Sequence, residues 1–303
     1  MVDVSLVKQL REMTGAGMMD CKKALAENGD NLDAACDWLR KQGIAAAAKK
    51  GGRVAAEGLI ALRSLDNQAI VAELNSETDF VAKNDSFKDL AATVLDSIAG
   101  STTNDVAELT VNGKALSVEV TNAISVIGEN IQLRRFDRVP VDNGFVASYL
   151  HSAVSESLGR IGVLVSITCD KVTDEARNLG KQIAMHVAAN KPVAAKQEDV
   201  PAELVAREKA IFSEQAQASG KPAEIIEKMV EGRVRKYYEE VVLVEQAFVI
   251  DGKTPIKEVI AAFEKENGCN FKVNSFIRYE VGEGIEKAED DFADEVQSIV
   301  ANS

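Results

Sequence analysis

The sequence predicts an α+β protein, and three features of its patterning carry that expectation. Helical and strand-like hydrophobic periods alternate along the 303 residues. A strand–strand–helix pattern occurs twice, each time followed by a strand rich in basic residues. The chain opens and closes in apolar stripes at helical spacing, outside the strand-like segments.

The residues up to Gly43 read as three short helices. Val4, Val7 and Leu10 form one stripe, Met18, Cys21 and Leu25 a second, and Leu32, Ala35, Cys36 and Leu39 a third. Gly15-Ala16-Gly17 breaks the first from the second, Gly29 stops the second, Asp30 or Asn31 caps the third, and Gly43 ends it. So small a bundle buries little and reads as an adhesion module, with Ile44 to Arg53 as its connector.

From Val54 the period becomes that of strands. Gly58–Leu62 and Ala69–Leu74, separated by Asp66-Asn67, predict a hairpin. A helix follows, with Phe87, Leu90, Val94, Leu95 and Ile98 on one face, Asn84 or Asp85 as cap and Gly100 as stop. Ser101 to Val120 is read as a loop, and Asn130–Arg135 as the closing strand. The pattern then returns: Gly144–Ala147 echoes the first strand, Ile161–Val165 the second, Asp174–Asn190 supplies the helix, and Ser275–Tyr279 the closing strand. Two related α+β subdomains with antiparallel sheets are expected.

Inside the second repeat lie two helical runs, Pro201 to Ala218 and Pro222 to Tyr238, flanking Ser219-Gly220-Lys221, each with proline at its first turn. Leu204, Ile211 and Phe212 are expected to face Ile225, Met229 and Val230 in a projecting helical hairpin. After Gly282-Glu283-Gly284 a last helix is striped by Phe292, Val296 and Ile299. The expected divisions are 1–53, 54–140, 141–280 with the hairpin at about 199–240, and 281–303.

Composition narrows the function classes. With 46% apolar residues and no run near the roughly 18 that a bilayer span needs, no membrane partner is expected. A net charge of −13 speaks against direct nucleic-acid binding, which needs concentrated basic surface; Lys49-Lys50-Gly51-Gly52-Arg53 and Arg233-Val234-Arg235-Lys236 are too short to supply it. The start reads as a helix entrance, unlike a secretory signal or a transit peptide, so a cytoplasmic protein is expected. Cys21, Cys36, Cys169 and Cys269 have no C-x-x-C spacing and read as reduced thiols.

Catalytic chemistry finds little support. His151 and His186 are the two histidines, neither in a metal-ligand spacing, and His186 reads as a core-edge residue. There is no G-x-S-x-G elbow, and Gly282-Glu283-Gly284-Ile285-Glu286-Lys287 carries glutamates where a phosphate loop needs neutral or basic residues, so it reads as a turn. Glu239-Glu240 and Glu289-Asp290-Asp291 read as solvated faces. No enzyme activity, no cofactor and no metal are expected. One segment stands apart: Thr78-Asp79-Phe80-Val81-Ala82-Lys83-Asn84-Asp85 puts an aromatic in the polar stretch between a strand and a helix cap. Pattern alone leaves two readings open, a ring folded back into the core or an apolar probe offered to a partner.

Five stretches in order, Thr14–Leu25, Thr78–Lys83, Ile127–Ile131, Ala184–Ala189 and Val281–Lys287, make the chain similar nearly end to end to the bacterial elongation factor Ts family. The resemblance implies an N-terminal ubiquitin-associated-like (UBA-like) three-helix bundle, two similar α+β core subdomains, a helical hairpin insertion and a C-terminal helical module. It implies a guanine-nucleotide exchange factor for elongation factor Tu, met both GDP-bound and nucleotide-free. Thr78, Asp79, Phe80 and Val81 correspond to the segment that dislocates Mg²⁺ from that GTPase, the aromatic acting as a wedge. The N-terminal bundle and C-terminal module are expected to grip the nucleotide-binding domain, and the second subdomain another domain. Ser76 departs from the pattern, standing where relatives often carry cysteine, and Ser101 to Val120 has no matched counterpart. The alternative is a non-catalytic protein-binding scaffold acting through the N-terminal helical domain.

Overall fold

The computed structural model describes residues 2–218 and 222–286. The expected final helix with Phe292, Val296 and Ile299 lies outside the described residues, as does Ser219-Gly220-Lys221.

Three helices come first: α1 (Val4–Thr14), α2 (Met18–Glu27) and α3 (Leu32–Lys50). Asp3 caps α1 by accepting from the Ser5 N–H, and Gly15 in the left-handed region closes it. Asn31, not Asp30, caps α3, accepting from the Ala34 N–H at 3.0 Å. Val7, Leu10, Cys21, Ala24, Leu25 and Ala35 form the small core between them.

Gly43 does not end α3, which corrects the expected boundary: the helix runs on to Lys50. Ala45–Ala48 are the strongest of helix formers and carry it past one glycine. What Gly43 provides is proximity, since a Cβ there would stand 3.1 Å from Ser125 on the helix across from it.

That opposing helix, α5 (Leu116–Ile127), occupies part of the expected Ser101–Val120 loop, the second correction. Ahead of it lie a 3₁₀ turn at Val106–Glu108 and a minimal hairpin, β3 (Thr110–Val111) with β4 (Lys114–Ala115). Asn112 and Gly113 both take positive φ in its turn, the geometry that Asn-Gly favours.

Two antiparallel sheets form the centre. In the first, β1 (Glu57–Ser64) pairs with β2 (Gln68–Ser76), and β2 with β5 (Ile131–Pro140). In the second, β6 (Gly144–His151) pairs with β8 (Ile161–Cys169), and β8 with β9 (Phe271–Glu280). The short β7 (Leu158–Gly159) adds to the free side of β1. The sheets lie face to face through Ile60, Val71, Val139, Leu164 and Tyr279. Their outer faces are covered by α4 (Asp85–Ala99) and α5 on one side, with Phe87 and Leu95 fully buried. On the other side lie α6 (Asp174–Asn190) and α9 (Ile256–Asn267). The order is helix, sheet, sheet, helix. Burial on both faces explains why β1 and β2 read as near-continuous apolar runs, with odd and even positions feeding different cores.

Glu73 is the charged exception within β2. It is fully buried, but Arg134 Nη1 lies 3.1 Å and Arg135 Nε 2.6 Å from its carboxylate, and the Gly282 N–H donates to it at 2.8 Å. Such pairing is what makes a buried carboxylate tolerable.

The hairpin of α7 (Ala202–Gln217) and α8 (Ala223–Val241) stands on Ala194, Val200 and Val242. Its seam differs in part from the expectation: Val230 and Ala216 are buried, whereas Ile211 and Ile225 are exposed. Two α-helices cannot bury every apolar residue along a single contact stripe.

Candidate functional site

The segment between β2 and α4 is held at both ends. At the far end, Val81 and Ala82 are buried in the core under the first sheet, within a 3₁₀ turn at Val81–Lys83. Asn84 then caps α4, its side chain accepting from the Ser86 N–H at 2.9 Å. At the near end, Ser76 donates its hydroxyl to the Thr78 carbonyl at 2.9 Å. Glu129, in the turn between α5 and β5, accepts from the Thr78 N–H at 2.9 Å and from its hydroxyl at 2.6 Å.

Between these anchors Asp79 and Phe80 face outward. Phe80 is 77% exposed, the highest fraction among the large hydrophobic residues described. Of the two readings that pattern left open, the ring does not fold back into the core. The expected tetrad is therefore divided: Thr78 is fixed by a carboxylate, Val81 by apolar packing, and Asp79 with Phe80 is displayed. An exposed aromatic at a fixed place is suited to inserting into a partner's surface, because little freedom is lost on binding.

The other titratable candidates are committed elsewhere. His186 is fully buried; its Nε2 donates to Gln246 Oε1 at 2.8 Å, while its Nδ1 accepts from the Val249 N–H at 3.1 Å. Both bonds suit the neutral ring, and burial holds its pKa below the ordinary 6.5. His151 lies near the Tyr149 hydroxyl on an exposed strand end. All four cysteines are free thiols. Among the described residues no group of three or more His, Cys, Asp or Glu is placed to hold a metal. No described helix is long and apolar enough to cross a membrane. Gly282–Gly284 forms a turn whose first N–H points at Glu73.

Sequence reasoning missed the roles of Glu77 and Glu129. Glu77 accepts from the Asn130 N–H at 2.6 Å and pairs with Arg53 at 3.3 Å. Glutamates in turns carry no periodic signal. The stretch Ile127–Ile131 was nonetheless one of the five shared with the family. The other surface of note is in the N-terminal bundle, where Met18 and Met19 at the start of α2 are exposed, Met19 to 75%.

A family model described as Elongation factor TS matches residues 77–283, which include the whole of this loop. Curated relatives named Elongation factor Ts extend the likeness to nearly the full length. That of Bartonella tribocorum is 51% identical, covering 99% of this chain and 99% of its own. Those of Rhodospirillum centenum and Rhodospirillum rubrum are 49% and 50% identical, covering 98% and 97% of both chains respectively. With the α+β fold, and with similarity over almost the whole sequence, the chain belongs to the elongation factor Ts family.

Proposed function

We propose that the chain is a guanine-nucleotide exchange factor for elongation factor Tu, acting in the cytoplasm during translation elongation and catalysing no chemical reaction of its own. It binds the GDP-bound GTPase, disturbs its Mg²⁺ site and promotes GDP release so that GTP can enter. The observation that carries this reading is the outward Phe80 between two fixed anchors. Thr78 and Val81 set the loop, Asp79 and Phe80 meet the partner, and the ring displaces side chains that position the metal.

Mg²⁺ neutralises phosphate charge and bridges nucleotide to protein, so loss of its ligands removes one of the strongest contacts holding GDP. Factor and nucleotide then antagonise each other, and linkage makes the antagonism reciprocal. Hastening release ~10⁴-fold takes about 5.5 kcal/mol, while burial of one phenylalanine supplies roughly 1.5–3 kcal/mol. Phe80 acts with other docking surfaces, among which the N-terminal bundle and the second sheet with its helices are the candidates.

The exposed Met18 and Met19 favour a second reading, a scaffold that engages a partner through its N-terminal bundle without hastening release. Mixing the chain with elongation factor Tu loaded with fluorescent GDP separates the two. Accelerated loss of the label supports exchange, and binding with unchanged release supports the scaffold.

A further inference from the structure

On the exchange reading above, we infer that Glu129 is a positioning residue for Phe80, its carboxylate holding the segment before the ring against the turn between α5 and β5. The bonding is reciprocal. Glu129 accepts from the backbone and hydroxyl of Thr78 at 2.9 and 2.6 Å, while the neighbour of Thr78, Glu77, accepts from the neighbour of Glu129, the Asn130 N–H, at 2.6 Å. Each segment thus contributes a carboxylate to the other, and neither can slide without breaking charge-assisted bonds, which are shorter and roughly twice as strong as neutral ones.

A third segment is tied in. Asn130 Nδ2 donates to the Arg53 carbonyl at 2.8 Å, and Arg53 pairs with Glu77. The chain leaving α3, the loop carrying Phe80 and the turn after α5 meet at one polar knot. Beyond the ring, Val81 is fixed by the core and by the 3₁₀ turn, its carbonyl accepting from the Asn84 N–H at 2.9 Å. Of the two anchors, Glu129 therefore belongs to the one that can be released without opening the core. Unheld, an exposed aromatic on a loop gains by settling on nearby apolar surface, and must be ordered again when a partner takes it.

The test uses the full-length chain and its Glu129→Ala, Glu129→Gln, Thr78→Val and Thr78→Ser variants, with Phe80→Ala as reference. For each, release of fluorescent GDP from elongation factor Tu is titrated, and amide hydrogen exchange and the thermal midpoint are recorded. Glu129→Ala is expected to slow release about tenfold at limiting factor, the effect of losing a charged hydrogen-bonding partner. The Thr78 amide exchanges faster, while amides of Ile70–Leu74 in β2 keep their protection. Glu129→Gln falls between. Thr78→Ser behaves as wild type, and Thr78→Val adds little to Glu129→Ala in the double variant. Wild-type release by Glu129→Ala alongside slow release by Phe80→Ala overturns the positioning role and leaves exchange intact. Slow release accompanied by lost β2 protection also overturns it, since Glu129 is then structural. Wild-type release by Phe80→Ala overturns the wedge role of Phe80 and with it the positioning role, whereas a wild-type chain that binds without hastening release overturns the exchange reading itself.

Discussion

In the first sheet the central strand β2 leads into α4 through Glu77–Asn84; in the second, β8 leads into α6 through Asp170–Thr173. The scaffolds around these two connections match in detail. Each first strand has, in its first two residues, a glycine with no room for a side chain: a Cβ on Gly58 would meet the Leu74 carbonyl oxygen at 2.0 Å, and one on Gly144 the Ile167 carbonyl oxygen at 2.1 Å. Each closing strand carries one extra residue opposite the central strand, where the register shifts between Glu73 and Leu74 and between Ser166 and Ile167. Each helix is capped by a side chain, Asn84 or Thr173. The connections differ in what they display. The first is the longer and presents Phe80, clamped on either side; the second presents Val172 at 38% exposure. A rigid strand–strand–helix frame holds a loop of either kind, so function can be added to one copy without disturbing the packing of either.

The largest expected effect tests whether the two units are energetically one. Phe87→Ala empties a fully buried site under the first sheet and should cost about 3–5 kcal/mol in urea unfolding. Because the sheets share a core, protection against hydrogen exchange should fall in both; loss confined to the first sheet would show two independent bodies. Next comes Phe80→Ala, which should slow GDP release from elongation factor Tu roughly 10- to 150-fold, the equivalent of the burial energy of one ring. Its thermal midpoint should not move, because the ring is exposed in the free chain. Val172→Ala, made in the equivalent connection, should leave release unchanged; an equal effect from both would end the distinction between the loops.

Smaller effects probe the shared frame. Asn84→Ala and Thr173→Ala each remove one helix cap and should each lower stability by about 1 kcal/mol, read as matching shifts of the urea midpoint. The smallest is a pH dependence in the second unit. His186 has its pKa lowered by burial, so the unfolded chain takes up the proton first as pH falls through about 6.5. Its contribution to stability is complete above that value and is lost below it. The urea midpoint should therefore drop between about pH 7.5 and 5.5, and His186→Gln should flatten that slope.

Much of the frame was legible because it rests on local signals. The Asp66-Asn67 turn between two apolar runs marks the first hairpin, and Asp174–Asn190 carries its helical stripe unbroken. Proline at the first turn placed both helices of the α7–α8 hairpin. Two helices escaped. α5 is rich in β-branched residues, Val118, Val120, Thr121 and Ile124 among them, which favour strands in isolation; it is helical because it packs between α3 and α4. α9 has Pro255 before it and Val259, Ile260 and Phe263 along one side, a signal that stands outside the repeat pattern and drew no assignment. At the site, the type and place of Phe80 were legible, but its exposure was not, since an aromatic in a loop serves core and partner alike.

The sequence by itself determined most of the helices and strands of the frame, that the frame occurs twice, and which aromatic stands apart from it. Those are properties of spacing, caps and turns within a few residues. Only the tertiary structure decided that the two sheets face each other, that α3 runs past Gly43 and packs against Ser125 at that glycine, and that Glu129 reaches across to Thr78. Each depends on groups far apart in the chain meeting at contact distance, and contact of that kind is settled by packing and hydrogen-bond satisfaction rather than by local pattern.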